Sequence, residues 1–360
     1  MKKILAVMAL NEQKRPEDTY CTENYNAQYS TFQKLHAQAK DFVKFLNTLD
    51  RQFKNIARGD LQIIEETLPS LLTGLKLIWT ISRHINQNEA KMEDILESIS
   101  NEICDKVRAK IDITKIFKEP PHKSIEIIKQ SKAVLAKWRK EFAQTRREIE
   151  AQQTVKRWDF QKTKEIFSGP RHMENVLEDL EQACIIMQEF FAILGPDLKA
   201  VTGNAEQIDA ENDKVKDQVR KLEAFPRDVF SDKQENQLKW KTLFQDFINS
   251  IKSIDQQVVH LIEKTFGEQL NSSEGAFDLL SKFQNVKTRD AIKELLNVMY
   301  DDVLNRYDIE LGNMEKLFAA GRISPPISKN MPPKAGQIAW ARSIMGRIKA
   351  PIQKFKNKSD

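Results

Sequence analysis

Glycine is scarce in this chain, 11 of 360 residues, near 3% where proteins average roughly 7%. Few glycines leave few tight turns, which argues against a many-stranded β fold and for long helices. Cysteine is as sparse. Cys21, Cys104 and Cys184 are widely spaced, odd in number and include no C-x-x-C pair. That is a reducing-compartment pattern, with neither a disulfide framework nor a zinc site. No uncharged run approaches the ~20 apolar residues that cross a bilayer as a helix. The opening MKKILAVMAL has a basic pair and a short apolar run, but Asn11-Glu12-Gln13-Lys14 follows in place of a cleavage site. It reads as the ragged N-terminus of an intracellular chain, not as a signal peptide. Catalytic signatures are missing too. No glycine precedes a lysine and no histidine precedes a glutamate, so a phosphate-cradling P-loop and H-E-x-x-H are both absent, as is G-x-S-x-G. His84 and His260 adjoin apolar faces and read as satisfied or surface histidines. Glu65-Glu66 and Asp301-Asp302 are adjacent pairs, and adjacent residues of a helix point in different directions, so both read as solvated. No enzyme activity, metal or cofactor is expected.

What the chain does contain is charge and apolar residues in helical rhythm. Charged residues are 30%, hydrophobic residues 40% and the mean hydropathy is −0.55, too apolar for a disordered chain. The net charge of +5 is uneven. From Arg322 onward nine Lys or Arg face a single acid, Asp360, giving +8 and leaving 5 − 8 = −3 for the rest. Such a basic segment suits an acidic surface, or is simply a solvated helix face.

Residues 1–30 have weak periodicity and several turn formers, and are expected to be loosely ordered. From 31 to 321 the spacing is helical. Leu35 through Ile56 forms one face, and Arg58-Gly59-Asp60 ends it, with Gly59 as the expected cap. Leu61–Ile85 is the most apolar stretch, and Pro69 should kink or restart its helix. Further faces run from Met92 to Val107 and from Ile125 to Phe142. A near-heptad stripe follows from Met173 through Leu194, including Phe191, until Gly195-Pro196 stops it. Long faces then run from Leu238 to Ile262 and from Ile292 to Phe318. The fold class is all-α: an elongated array of long helices forming successive bundles, with a proline-rich extended arm near the C-terminus.

That arm lies in 322–360, with a basic helix after it. Pro325-Pro326 and Pro332-Pro333 exclude helix and central strand locally, so the backbone should be polyproline-like. Gly336 releases the chain, and Ile338, Trp340, Ile344 and Ile348 resume an apolar pattern. Ile327, Met331 and Trp340 are too apolar for a solvated linker. The arm should therefore lie along the chain's own helices, with Trp340 anchoring its far end.

The run PPISKNMPPKAGQIAWARSIMGRI resembles the tail of dynein heavy chains. The ordered residues are Pro325, Pro326, Lys329, Asn330, Pro332, Pro333, Ala335, Gly336, Trp340 and Arg342. Lys334 departs from the more usual aliphatic residue. The segments ILESISNEICDKVRAKIDITKIF, LGPDLKAVTG and AFDLLSKF are similar to the same family, the second reading closest to axonemal forms. The resemblance is spread over roughly 90–356. It implies a non-catalytic tail segment that joins heavy chains and carries intermediate and light chains in a microtubule-based motor complex. The ATPase motor region would lie outside this chain, so microtubule association would be indirect. It also implies a cytoplasmic, cytoskeletal place, in the axoneme of a cilium or flagellum. No nucleic acid and no membrane insertion are expected. The alternative is a stand-alone helical module using its basic arm on tubulin or another acidic partner.

Overall fold

A computed structural model of the chain describes residues 19–82, 84, 89–152, 157–225, 228–231, 233–269, 273–283, 289–327 and 331–359. Among these every regular element is helical and none is a strand. Residues 19–30, expected to be loose, belong to the first helix, α1 (Thr19–Thr48); 1–18 lie outside the described residues. The chain divides into two compact units, one of residues 1–111 and 129–177, the other of 112–128 and 178–360.

In the first unit α2 (Asp50–Arg58) is followed by α3 (Leu61–Ile81) and α4 (Glu89–Lys110). The Arg-Gly-Asp run makes the first junction. Gly59 is extended, at φ −72° and ψ 162°, and not left-handed. Glycine is required there by crowding, because a Cβ would meet the Asn55 carbonyl oxygen at 2.3 Å. Asp60 then caps α3, accepting from the Ile63 amide at 2.9 Å. Pro69, expected to kink or restart the helix, does not restart it, and α3 runs through it. One lost amide bond is outweighed by the apolar face around it, where Leu68, Leu71, Leu72, Leu75 and Trp79 are all buried.

An aromatic cluster fills the centre of this unit. It joins α3 to α6 (Pro121–Ala151), whose residues from 129 onward belong here, and to the non-helical segment 157–160. Trp79 meets Trp158 and Phe160 edge-on at 5.9 and 5.2 Å, and Phe142 meets Trp158 at 5.9 Å. Phe167, just after the short α7 (Thr163–Ile166), packs on Phe142 and Trp138 at 4.8 and 5.8 Å. Such pairs add about 0.5–1.5 kcal/mol each beyond burial. The Trp138 indole is fully buried and donates to Ser100 Oγ at 2.8 Å, so burial leaves that donor satisfied.

The second unit begins with α5 (Ile113–Ile116) and the first turns of α6. It continues with the later part of α8 (Ser168–Ile193), α9 (Pro196–Thr202), α10 (Ala205–Glu223) and the 36-residue α11 (Gln234–Gln269). Gly195-Pro196 ends α8 and starts α9, with proline at a first-turn position that needs no amide donor. Gly203 closes α9 at φ 69°, in the left-handed region that favours glycine. Leu180, Cys184, Met187 and Phe190 of the α8 stripe are buried, whereas Phe191 is 40% exposed. α12 (Ser273–Phe283), α13 (Asp290–Gly321) and α14 (Pro333–Ser359) pack together at the end of this unit.

Candidate interaction surface

The described residues bring no metal-binding cluster together. No group of three His, Cys, Asp or Glu among them could hold a metal, and no helix there is long and apolar enough to cross a membrane. The Cys104 and Cys184 thiols are buried, and burial pushes both up to about 12, leaving them protonated and inert. Glu66 accepts from Gln62 at 3.2 Å along the helix surface, an ordinary solvated pairing. His260 is largely exposed, 3.9 Å from Glu263.

The proline arm connects two helices that run back along one another. Pro325, Pro326 and Ile327 are non-helical; Lys329 and Asn330 lie outside the described residues. Helix α14 starts at Pro333, three residues before the expected release at Gly336. Proline at the first helical position has its φ already set and needs no amide partner. The Pro332 carbonyl accepts from the Gly336 amide at 2.9 Å, so the second Pro-Pro pair begins the helix instead of extending the arm.

Two glycines make the return close. Gly336 is buried beneath Ile327, and a Cβ there would sit 2.4 Å from the isoleucine Cγ2. Gly321, the last residue of α13, is buried beneath Trp340, and a Cβ would sit 2.3 Å from its Cζ2. The indole stacks on Phe318 at 5.8 Å with only 7° between the rings. Farther along, Tyr307 Oη donates to the Ile348 carbonyl oxygen at 3.0 Å. Residues 318 and 321 thus meet 340, and 307 meets 348, which sets the helices antiparallel. Trp340 is half-buried, and Arg342 and Lys334 are exposed.

Two further features escape sequence reasoning. Arg289 opens α13 and is held from three sides. It donates to both carboxylate oxygens of Asp255 on α11 at 2.6 Å, and to Glu189 on α8 at 2.7 Å. Its guanidinium lies 4.5 Å from the Phe190 ring centroid. Burial works against its charge, but the hydrogen bonds and charge of Asp255, then Glu189, outweigh that and raise its pKa. In the first unit a groove of about 540 Å³ is lined by apolar residues, Leu46, Phe53, Ile56, Ile95 and Ile99 among them, and by the acids Asp50, Asp94 and Glu102.

The whole chain, residues 1–360, matches the family described as "Dynein heavy chain, N-terminal region 1", and it belongs to that family. Among individual proteins it is similar to the Dynein-1-alpha heavy chain of the flagellar inner arm I1 complex of Chlamydomonas reinhardtii. Identity there is 34% over 97% of this chain and 7% of the relative. It is also 29% identical to human Dynein axonemal heavy chain 10 over 95% of this chain and 6% of the relative. The Chlamydomonas reinhardtii Dynein gamma chain of the flagellar outer arm is 27% identical over 89% of this chain and 7% of the relative. The chain thus spans only about 7% of the length of such a relative. The region matched is the N-terminal one, not the motor.

Proposed function

We propose that this chain is a non-catalytic tail segment of an axonemal dynein heavy chain. It acts as a scaffold, associating with other heavy chains and presenting helical faces to intermediate and light chains. The observation that carries the reading is the family match along the whole chain; the all-α architecture, with faces suited to helix-in-groove contacts, supports it. In this reading the ordered residues Pro325, Pro326, Lys329, Asn330, Pro332, Pro333, Gly336, Trp340 and Arg342 are the family's structural signature, and among them Gly336 and Trp340 support the return of α14 onto α13. Microtubule association comes through a motor region elsewhere in the heavy chain, and the setting is the cytoskeleton of a cilium or flagellum. The test is affinity purification of the tagged chain from ciliated cells, with calorimetry of ATP and magnesium alongside. Heavy, intermediate and light chains should co-purify, and no nucleotide should bind. Absence of every dynein subunit from the purified material, or stoichiometric Mg-dependent ATP binding, would refute the proposal.

A further inference from the structure

Helix α14 presents a second face. Ile338, Met345 and Ile352 are 55%, 48% and 39% exposed and recur every seven residues. At 3.6 residues per turn such a spacing holds side chains in one row. Over Ile338 and Met345 the row lies away from the side of α14 on which Gly336 is buried and Trp340 and Ile344 are half-buried, and at Ile352 it comes beside half-buried Ile348, one turn earlier. Lys334, Arg342 and Lys349 are all exposed and lie within about 60° of the row on a regular helix. No acid occurs in the sequence from Arg322 to Ser359, so α14 supplies no counter-charge of its own.

We propose that this face docks an acidic amphipathic helix of a partner protein. The aliphatic seam of that helix packs on Ile338, Met345 and Ile352, and its flanking carboxylates meet Lys334, Arg342 and Lys349. Three observations select this occupant. The row is narrow, one apolar residue in every seven, and fits along the side of one other helix, whereas a membrane-lying helix needs a broad apolar face, commonly with aromatics. The described row holds no aromatic residue. Two copies of α14 seam to seam would set cation against cation, so a second copy is disfavoured.

The inference deepens the scaffold reading and rests on it only for the source of the helix. Its test uses the full chain and a labelled synthetic four-heptad peptide, with Leu along the seam and Glu in the flanks, read by fluorescence anisotropy. The Glu peptide should bind and weaken as salt rises. Met345→Asp and the pair Arg342→Glu with Lys349→Glu should each weaken it tenfold or more, with the circular dichroism spectrum unchanged. No binding of the Glu peptide would overturn the proposal. So would equal binding of a Lys-flanked peptide, equal binding by the variants, or binding to phosphatidylserine vesicles in place of the peptide. A self-association in sedimentation that Met345→Asp abolishes would overturn it in favour of a second copy. Because the titration contains no other dynein subunit, its failure falls on this face alone; failure of co-purification falls on the scaffold reading.

Discussion

Arg289→Met should be among the most damaging single changes in the second unit. The side chain is 13% exposed and its partner Asp255 is 12% exposed, while Glu189 keeps 30%. Methionine fills much of the same volume and can still lie on Phe190, so the change mainly removes the cation. Glu189 can turn to water and loses little. Asp255 cannot, because it is buried, and both of its oxygens lose their donors together. Removing one partner of a buried pair typically costs about 3–5 kcal/mol, far more than the net contribution of the pair itself. In a unit of this size that displaces the thermal midpoint by on the order of 10 °C. The assay is chemical denaturation of wild type, Arg289→Met, Asp255→Asn and the double variant. Asp255→Asn in the methionine background should regain stability, since it removes the stranded charge. A cost below about 1 kcal/mol for Arg289→Met would mean that water reaches Asp255 and that the pair behaves as a surface bridge. Failure of Asp255→Asn to recover any of the loss would refute the stranded-charge reasoning directly.

Two other expectations follow from the same structure. Gly321→Val drives a side chain into the Trp340 ring and should cost about 1–3 kcal/mol, whereas Gly312→Ala, with nothing within 4 Å of the new methyl, should gain about 0.5–1 kcal/mol. Limited proteolysis of α14 should follow the first and ignore the second, and equal responses would dismiss the close-approach argument. Glu148 lies 2.8 Å from Lys76, whose hydrogen bond is the main cause holding its pKa below the usual carboxylate value, with Gln144 next. A depressed carboxylate stabilises above its unfolded pKa and loses that contribution as pH falls through the folded one. Lys76→Met should therefore cost about 0.2–1 kcal/mol at neutral pH, a figure modest because Glu148 is half exposed. The difference should fade in acid; a pH-independent difference in urea unfolding would remove the electrostatic account.

The long helices were legible because each carries enough apolar residues at three- and four-residue spacing to outweigh local disturbances. Pro69 shows the limit of local reasoning. One proline reads as a kink or a restart, yet with nine buried residues α3 continues through it. The segment 157–160 hid for the opposite reason. Trp158 and Phe160 have no helical period to announce them, and only the fold shows that a non-helical run supplies two of the rings packed on Trp79. Arg289 was invisible because its partners are 34 and 100 residues away, and an isolated arginine beside a helix start gives no hint of either.

The C-terminal arm joins both lessons. Its prolines declared that helix α13 must stop before them, and of the apolar residues expected to hold the segment down, Ile327 covers Gly336 and Trp340 covers Gly321 while Met331 is exposed. What they could not declare was the direction of return, which depends on Gly321 and Gly336 letting Trp340 and Ile327 approach the backbone. Once α14 lies antiparallel to α13, its apolar residues divide between two faces. Trp340, Ile344 and Ile348 turn inward and half-bury, and Ile338, Met345 and Ile352 remain outside among cations. On a regular helix Ile338 and Trp340 lie nearly opposite one another, so the two rows start on different sides of α14 and draw together only toward Ile348 and Ile352. The inner row holds the helix in its own chain, and the outer row is left for a second helix of opposite charge.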